Sequence, residues 1–210
     1  MIQPKISVLS VCYNAVNDIE KTILSVINQT YPNIEYIIID GGSTDGTMDI
    51  INKYKDKIDV IVSEPDKGIY DAMNKGARKS CGDFVQFLNA GDVLYNEKVF
   101  SSLFKEEISV DVDVVYGDVI YVMQFGRFYK VPEPIENFSV TFPIAHPASF
   151  VKRKIFDTFE FNTKYRIAAD FALLKQIYDN SGKFLYKQDI PVVIFDSISG
   201  VSSKSVYKAW

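Results

Sequence analysis

Short apolar runs alternate with amphipathic segments along the first part of the chain. The runs cover residues 6–12, 34–39, 60–62 and 84–88, and each ends in turn-forming residues. Between them, apolar residues recur at helical spacing, as in Ile19, Ile23 and Val26, and similar helices are expected up to about Tyr54 and from about Tyr70 to Lys79. This alternation predicts βαβ crossovers and a Rossmann-like, mostly parallel central sheet flanked by helices.

The pattern changes after residue 92. A helix is expected over residues 97–107 and a strand pair over 111–122 and 126–131, followed by a proline-rich stretch around His146. A strand over 148–151, a helix over 169–178 and a strand over 184–195 complete the expectation. The length suits one α/β domain, residues 1–210, with a regular half (1–95) and a more irregular half (96–210).

Composition excludes several classes of protein. A hydrophobic fraction of 47% supports a large core, and a net charge of −4 without a basic block disfavours nucleic acid as a partner. Two cysteines are too few for a disulfide framework. Neither a signal-peptide apolar region nor a run of transmembrane length is present, so a cytoplasmic protein is expected, with peripheral membrane contact left open.

Polar residues follow all four predicted strands of the regular half: Asn14, Asp40, Asp66 and Asp92. Ligands of open α/β sheets bind beyond the carboxyl ends of the strands, where these side chains should meet. The glycine-rich phosphate motifs GxGxxG and GxxxxGK[ST] are absent. Carboxylates would therefore bind a nucleotide: Asp40 could accept hydrogen bonds from a base or ribose, and Asp92 suits Mg²⁺ or Mn²⁺ bound to a diphosphate.

Four motifs carry a resemblance to a known family. They are SVCYN (10–14), IDGGSTDGT (39–47), EPDKGIYDAMNKG (64–76) and LNAGD (88–92). In this order and spacing they resemble the family 2 glycosyltransferases of the GT-A fold, most of all the small bacterial enzymes that build colanic acid, capsule and lipopolysaccharide. The likeness covers most of the first half. Past Val115 it thins to residues 146–150 and 169–171.

The resemblance implies roles for individual residues. Asp40 resembles the aspartate that contacts the nucleotide base, and Asp66 the second carboxylate of the nucleoside pocket. Asn89 to Asp92 stand where the family has its DXD motif. The neutral Asn89 leaves Asp92 as the principal metal ligand, and Asp170 stands at the position of the catalytic base. Asn14, Lys75 and Asn89 are assigned to donor binding with these carboxylates.

Each assignment has a structural alternative. Asp40 could cap the next helix, and Asp71, Asn74 and Lys75 could form a solvated helix face. Asp170 could be a helix N-cap. His146, the single histidine, could be a structural loop residue or a ligand of the metal or the diphosphate.

The resemblance implies an inverting, metal-dependent hexosyl- or N-acetylhexosaminyltransferase of surface polysaccharide biosynthesis. Its donor would be a nucleotide diphosphate sugar, by family default a UDP-sugar, and its acceptor a hydroxyl of a glycan or lipid-linked molecule. A non-catalytic nucleotide-sugar-binding module is the main rival, supported by Asn89. A nucleotide-sugar pyrophosphorylase is disfavoured because its glycine-rich signature is missing.

Overall fold

A computed structural model describes residues 3–197. Its strands in chain order are β1 (Ile6–Cys12), β2 (Ile34–Asp40), β3 (Val60–Ser63), β4 (Phe84–Phe87), β5 (Val93–Leu94), β6 (Val114–Met123), β7 (Gly126–Lys130), β8 (Ser149–Lys152) and β9 (Phe184–Asp196). Its α-helices are α1 (Ile19–Ile27), α2 (Thr47–Lys53), α3 (Ile69–Lys79), α4 (Val99–Leu103) and α5 (Ala169–Asp179). Residues 198–210 of the predicted irregular half lie outside the described part.

The strands form one sheet in the order β3-β2-β1-β4-β8-β6-β9-β5, with β7 paired to β6. The strands β1 to β4 are parallel to one another, as the βαβ pattern predicts. Beyond β4 the pairing is mixed: β8 is antiparallel to both of its neighbours, while β6 and β9 are parallel. The predicted α/β sheet is thus confirmed, and its parallel part coincides with the regular half.

The register of the parallel strands brings their carboxyl ends to one edge. Cys12 pairs with Asp40, and Asp40 pairs with Ser63. Every residue of β1 is buried, because helices cover both faces of the sheet and leave two apolar cores. Burial of continuous Val, Ile and Leu runs on both faces fixes this edge firmly in place.

The structure differs from the sequence expectation mainly after residue 92. The two-residue strand β5 was not predicted, because its partner β9 lies a hundred residues further along the chain. The helix expected over 97–107 is limited to α4, since residues 104–107 leave the helix and turn towards solvent after Phe104. Among residues 3–197, no helix is long and apolar enough to cross a membrane.

Candidate active site

Asp40 organises the edge formed by the parallel strands. The Asp40 side chain is 0% exposed. One carboxylate oxygen accepts hydrogen bonds from the backbone N–H groups of Gly42 and Ser43 at 3.1 and 3.0 Å and from the Ser63 hydroxyl at 2.6 Å. The other accepts from the Ser43 hydroxyl. Burial alone would raise the pKa of Asp40, but these donors outweigh it and hold the pKa below its usual value.

This carboxylate therefore shapes the loop after β2. It caps no helix, since the N-cap of α2 is Gly46 and makes no side-chain bond, so that alternative is wrong. Contact between Asp40 and a nucleoside stays a prediction. In the described contacts, both carboxylate oxygens are already engaged by the chain itself.

Asn14 is hydrogen-bonded to the same loop, and Asp66 lies against its backbone. The Asn14 side-chain oxygen accepts from the Thr44 N–H at 3.0 Å, and the Asn14 N–H donates to the Ser43 hydroxyl at 2.8 Å. A Cβ at Gly41 would lie 2.5 Å from an Asp66 carboxylate oxygen. Only glycine lets this carboxylate approach the loop backbone so closely. Asn14 and Asp66 thus converge on residues 41–44, as their positions after strands predict.

Lys75 connects α3 to the loop that contains Asp66. Its ammonium group donates to the Pro65 carbonyl at 3.0 Å and lies 3.0 Å from the Glu64 carboxylate. The alternative of a solvated helix face is wrong for Asn74. The Asn74 side chain is buried and exchanges two 2.9 Å hydrogen bonds with the Phe161 backbone, which ties α3 to the second half of the chain.

The turn after β4 is held by Thr22 of α1. The Thr22 hydroxyl donates to the Asp92 carbonyl at 2.8 Å and accepts from the Gly91 N–H at 3.0 Å. Gly91 has φ +108°, a left-handed conformation that glycine adopts without strain. The turn buries Asp92 to 5% exposure and leaves the Asn89 side-chain oxygen buried without a hydrogen-bond partner.

Burial dominates the electrostatics of Asp92 and raises its pKa to about 8. One carboxylate oxygen accepts a 3.2 Å hydrogen bond from the Asp196 N–H, which opposes this shift, and the Asp196 charge adds to it. The Asp92 carboxyl and the unpartnered Asn89 amide supply hard oxygen atoms, the ligand type that Mg²⁺ and Mn²⁺ prefer.

The oxygen atoms of Asp92 and Asn89 would fill only some of the coordination positions of Mg²⁺ or Mn²⁺. Within residues 3–197, no group of three or more His, Cys, Asp or Glu side chains could hold a metal ion by itself. Mg²⁺ in phosphate-transfer sites commonly takes one or two protein carboxylates and completes its shell with water and substrate phosphates. The fit therefore depends on a diphosphate that supplies the remaining oxygens.

A separate cavity of about 230 Å³ lies in the second half of the chain. Asp170, His146 and Lys130 line it together with apolar and aromatic residues: Tyr121, Phe142, Ile144, Ala145, Pro147, Phe171, Leu174 and Phe195. Asp92 is not among the lining residues. The structure thus brings together Asp170 and His146, the two polar residues predicted for the second half, in the wall of one cavity.

His146 lies in this cavity wall as a neutral, stacked ring. It stacks on Phe87 with ring centroids 5.3 Å apart and meets the edge of Phe161 at 5.6 Å. Burial lowers the pKa of His146, although the Asp170 charge opposes the shift. The Nε2 atom is buried without a hydrogen-bond partner in the structure. Metal ligation by His146 stays a prediction. The alternative of a structural residue explains why the ring is packed against Phe87 and Phe161, but it does not explain why Nε2 is buried without a hydrogen-bond partner.

Asp170 is held by a residue that the sequence did not assign. The Tyr70 hydroxyl donates to the Asp170 carboxylate at 3.1 Å, and the Tyr70 ring stacks on Phe161 at 5.7 Å. Tyr70 belongs to the 64–76 motif and follows the loop that contains Asp66. Its place in this motif was the sequence feature that could have indicated a role in the site. Asp170 lies in the first turn of α5, whose N-cap is Ala168 without a side-chain bond, so the N-cap alternative is wrong.

The comparison with protein families decides the classification. The family model described as "Glycosyl transferase family 2" matches residues 7–185 of the sequence. The chain belongs to glycosyltransferase family 2. The resemblance drawn from the four motifs is thereby confirmed, and the chain is a glycosyltransferase.

Two relatives illustrate the range of this family. The chain is 29% identical to a PGL/p-HBAD biosynthesis glycosyltransferase of Mycobacterium bovis, over 99% of this chain and 83% of that protein. It is 38% identical to TuaG of Bacillus subtilis, whose name assigns it to teichuronic acid biosynthesis, over 48% of this chain and 41% of that protein.

Solved structures confirm the GT-A fold. The glycosyltransferase matches S. aureus TarS 1-349 in complex with UDP-GlcNAc with a TM-score of 0.77 at 19% identity, over 96% of this chain. It matches the mannosyltransferase PcManGT of Pyrobaculum calidifontis, in complex with GDP-Man and Mn²⁺, with a TM-score of 0.75 at 18% identity, over 99% of this chain. The chain spans 61% of each of these two solved chains.

Proposed function

We propose that this family 2 glycosyltransferase is an inverting enzyme of surface polysaccharide biosynthesis at the cytoplasmic face of a membrane. It transfers a hexosyl or N-acetylhexosaminyl group from a nucleotide diphosphate sugar to a hydroxyl of a glycan or lipid-linked acceptor. The observation that supports this most is the carboxylate of Asp170, fixed by Tyr70 in an aromatic cavity next to the nucleotide motifs.

The reaction is a single displacement. The acceptor oxygen attacks the anomeric carbon on the face opposite the diphosphate, the bond to the diphosphate breaks, and the configuration inverts. Asp170 accepts the proton of the acceptor hydroxyl. The aromatic walls of the cavity bind the apolar face of the acceptor and exclude water that would otherwise take the sugar.

Asn14, Asp40, Asp66, Lys75 and Asn89 form the donor side in this proposal. Asp40 acts chiefly by holding the loop backbone at Gly42 and Ser43. Asp92, together with the Asn89 oxygen, would hold Mn²⁺ or Mg²⁺, which supplies a positive charge for the departing diphosphate. UDP is the proposed nucleotide because the TarS complex contains UDP-GlcNAc, and GDP is the alternative because PcManGT contains GDP-Man.

A panel of nucleotide sugars with Mn²⁺ tests this function. Thermal shift first identifies the donor, since a ligand at a hundred times its Kd stabilises by roughly 2.7 kcal/mol. Proton NMR of the product of that donor then reports the anomeric configuration. An inverted product supports the proposal, and a retained configuration contradicts it.

The rival function is a non-catalytic module that binds nucleotide sugars. The replacement of the first DXD aspartate by the neutral Asn89 is the observation in its favour. Metal-dependent hydrolysis of the donor by the purified chain would exclude this rival. Donor binding without any turnover, with or without acceptor extracts, would favour it.

A further inference from the structure

The β6–β7 hairpin, residues 119–131, exposes apolar side chains that no described part of the chain covers. Phe125 at its tip is 92% exposed. Met123, Phe128, Tyr129 and Val131 are each about half exposed. The register places Met123 and Phe128 on one face of the hairpin and Arg127 and Tyr129 on the other, with Phe125 at the turn between the strands. Exposed apolar side chains clustered at such a tip mark a site of interaction.

Charge indicates which partner this surface fits. The hairpin contains Arg127 and Lys130 and has no acidic residue between 119 and 131, whereas the whole chain has a net charge of −4. The flanking acidic residues are bonded within the chain. Burial raises the pKa of Tyr129, and the negative charges of Asp118 and Asp189 both add to this shift. Asp118 is buried and accepts from the Tyr129 and Tyr186 hydroxyls, and Glu133 accepts from Thr141.

The geometry of the hairpin places this surface beside the reaction cavity. Directly paired residues of antiparallel strands share one face, so Phe128 lies opposite Tyr121 and Lys130 opposite Val119. Tyr121 and Lys130 line the cavity that contains Asp170. The same face therefore runs outwards from the cavity through Phe128 towards the tip.

We propose that the β6–β7 hairpin docks the enzyme on an anionic phospholipid bilayer, with Phe125 inserted among the headgroups and Arg127 bound to their phosphates. An aromatic tip flanked by basic side chains is the composition that binds this interface. Docking through the tip brings the face that continues into the cavity close to the bilayer surface, where a lipid-linked acceptor presents its hydroxyl. Membrane docking deepens the proposed function and rests on it, but vesicle binding needs neither donor nor acceptor and can fail independently.

Vesicle sedimentation of the whole chain tests the proposal. Vesicles of phosphatidylcholine alone are compared with vesicles that contain equal parts of phosphatidylcholine and phosphatidylglycerol. We expect binding to the anionic vesicles that weakens as salt is added. Phe125→Ser should reduce the partition coefficient by about tenfold or more because a buried phenyl group is lost, and Arg127→Gln by about fivefold because one cationic contact is lost.

Two matched variants control for polarity and charge. Val110→Ser removes an apolar side chain that is 84% exposed outside the hairpin, and Lys57→Gln removes one exposed positive charge near α2. Both should bind vesicles as the wild type does. Absence of vesicle binding, or equal losses in the control variants, would overturn the proposal.

A second copy of the chain is the alternative partner for the hairpin. Among the described strands β7 pairs only with β6, so its other edge could pair with that copy. Sedimentation velocity without lipid distinguishes the two. A dimer that Phe125→Ser dissociates would assign the surface to self-association and overturn the bilayer proposal. A monomer whose vesicle binding depends on Phe125 would support it. Donor hydrolysis should be the same in wild type and Phe125→Ser, and its absence in both would count against the proposed function instead.

Discussion

The proposed donor half, described over residues 3–95, and the proposed acceptor half, described over residues 96–197, use their polar side chains differently. In the donor half, the side chains of Asp40, Asn14 and Lys75 each form a hydrogen bond with the backbone of a loop that follows a parallel strand. In the acceptor half, His146 Nε2 is buried without a partner, and Asp170 opens on a cavity. The donor half is therefore held together by its polar groups, whereas in the acceptor half His146 Nε2 has no hydrogen-bond partner and Asp170 accepts a hydrogen bond from Tyr70.

This difference predicts how substitutions should act. Removing a polar group of the donor half should cost stability, because the group holds the chain together. Removing Asp170 or His146, the two predicted site residues of the cavity, should cost rate, because few described hydrogen bonds of the chain depend on them. Asp92 and Asn89 form the exception within the donor half, since the Asn89 oxygen has no partner and Asp92 has one backbone donor.

The largest effect is expected at Asp92. Asp92→Ala should abolish transfer together with the enhancement of nucleotide binding by Mn²⁺, because it removes the single carboxylate of the turn. Asp92→Asn keeps an acceptor for the Asp196 N–H and should therefore remain folded while showing the same losses. Activity assays and calorimetry with and without Mn²⁺ measure both. Near-normal Mn²⁺-dependent activity in either variant would remove Asp92 from the metal site.

Asp40→Asn should test the structural role of the donor half. The amide group would face donors at Gly42, Ser43 and Ser63, so we expect a loss of about 1.5–3 kcal/mol in the free energy of unfolding at neutral pH, as for hydrogen bonds to a charged group. Asp49→Asn, on the exposed side of α2, should change stability by less than about 0.5 kcal/mol.

The pH dependence of this loss has a definite sign. Because the folded-state pKa of Asp40 is lowered, the carboxylate contributes stability above the ordinary aspartate pKa of 3.8, and the contribution disappears as the pH falls through the folded-state value. The stability gap between wild type and Asp40→Asn should therefore shrink below about pH 4. Urea unfolding at pH 7 and pH 3 measures it, and a constant gap would refute the role of the charge.

A smaller effect is expected where the two halves meet. Tyr70→Phe removes the hydroxyl that holds Asp170, so we expect turnover to fall by roughly fivefold, equivalent to about 1 kcal/mol for one hydrogen bond. Nucleotide affinity should be unchanged. Tyr54→Phe removes a hydroxyl bonded to Glu20, away from the cavity, and serves as the matched control. A loss of nucleotide affinity with unchanged turnover would place Tyr70 on the donor side instead.

The two halves also differ in how far their sequence predicted them. Strands β1, β2 and β4 follow continuous apolar runs, so burial determines them locally and their ends could be placed almost to the residue. Strand β5, at the end of the donor half, is the exception there, because it depends on β9, a hundred residues away, and has too few residues to show a period. The earlier strands could be predicted from local patterns because each is an apolar run that the crossover helices bury.

The candidate site shows the same limit. The sequence predicted that Asn14, Asp40 and Asp66 would lie together at one edge of the sheet, because the carboxyl ends of parallel strands meet at that edge. The contact between Tyr70 and Asp170 spans a hundred residues and has no sequence period. The internal bonding of Asp40 was likewise hidden, because a motif reports that a carboxylate is present and not which donors surround it.

The most direct test of the account compares Asp170→Asn with Asp179→Asn, the same change at the other end of α5, where Asp179 is exposed and paired with Lys175. Nucleotide affinity by calorimetry and turnover are measured on the same preparations, with donor hydrolysis as the first assay. The account predicts unchanged affinity in both variants and a loss of turnover of roughly 10²–10⁴-fold in Asp170→Asn alone, the usual range for a positioned general base. Unchanged turnover in Asp170→Asn would contradict it and move the search for the base to Asp157, Glu160 or the His146 region.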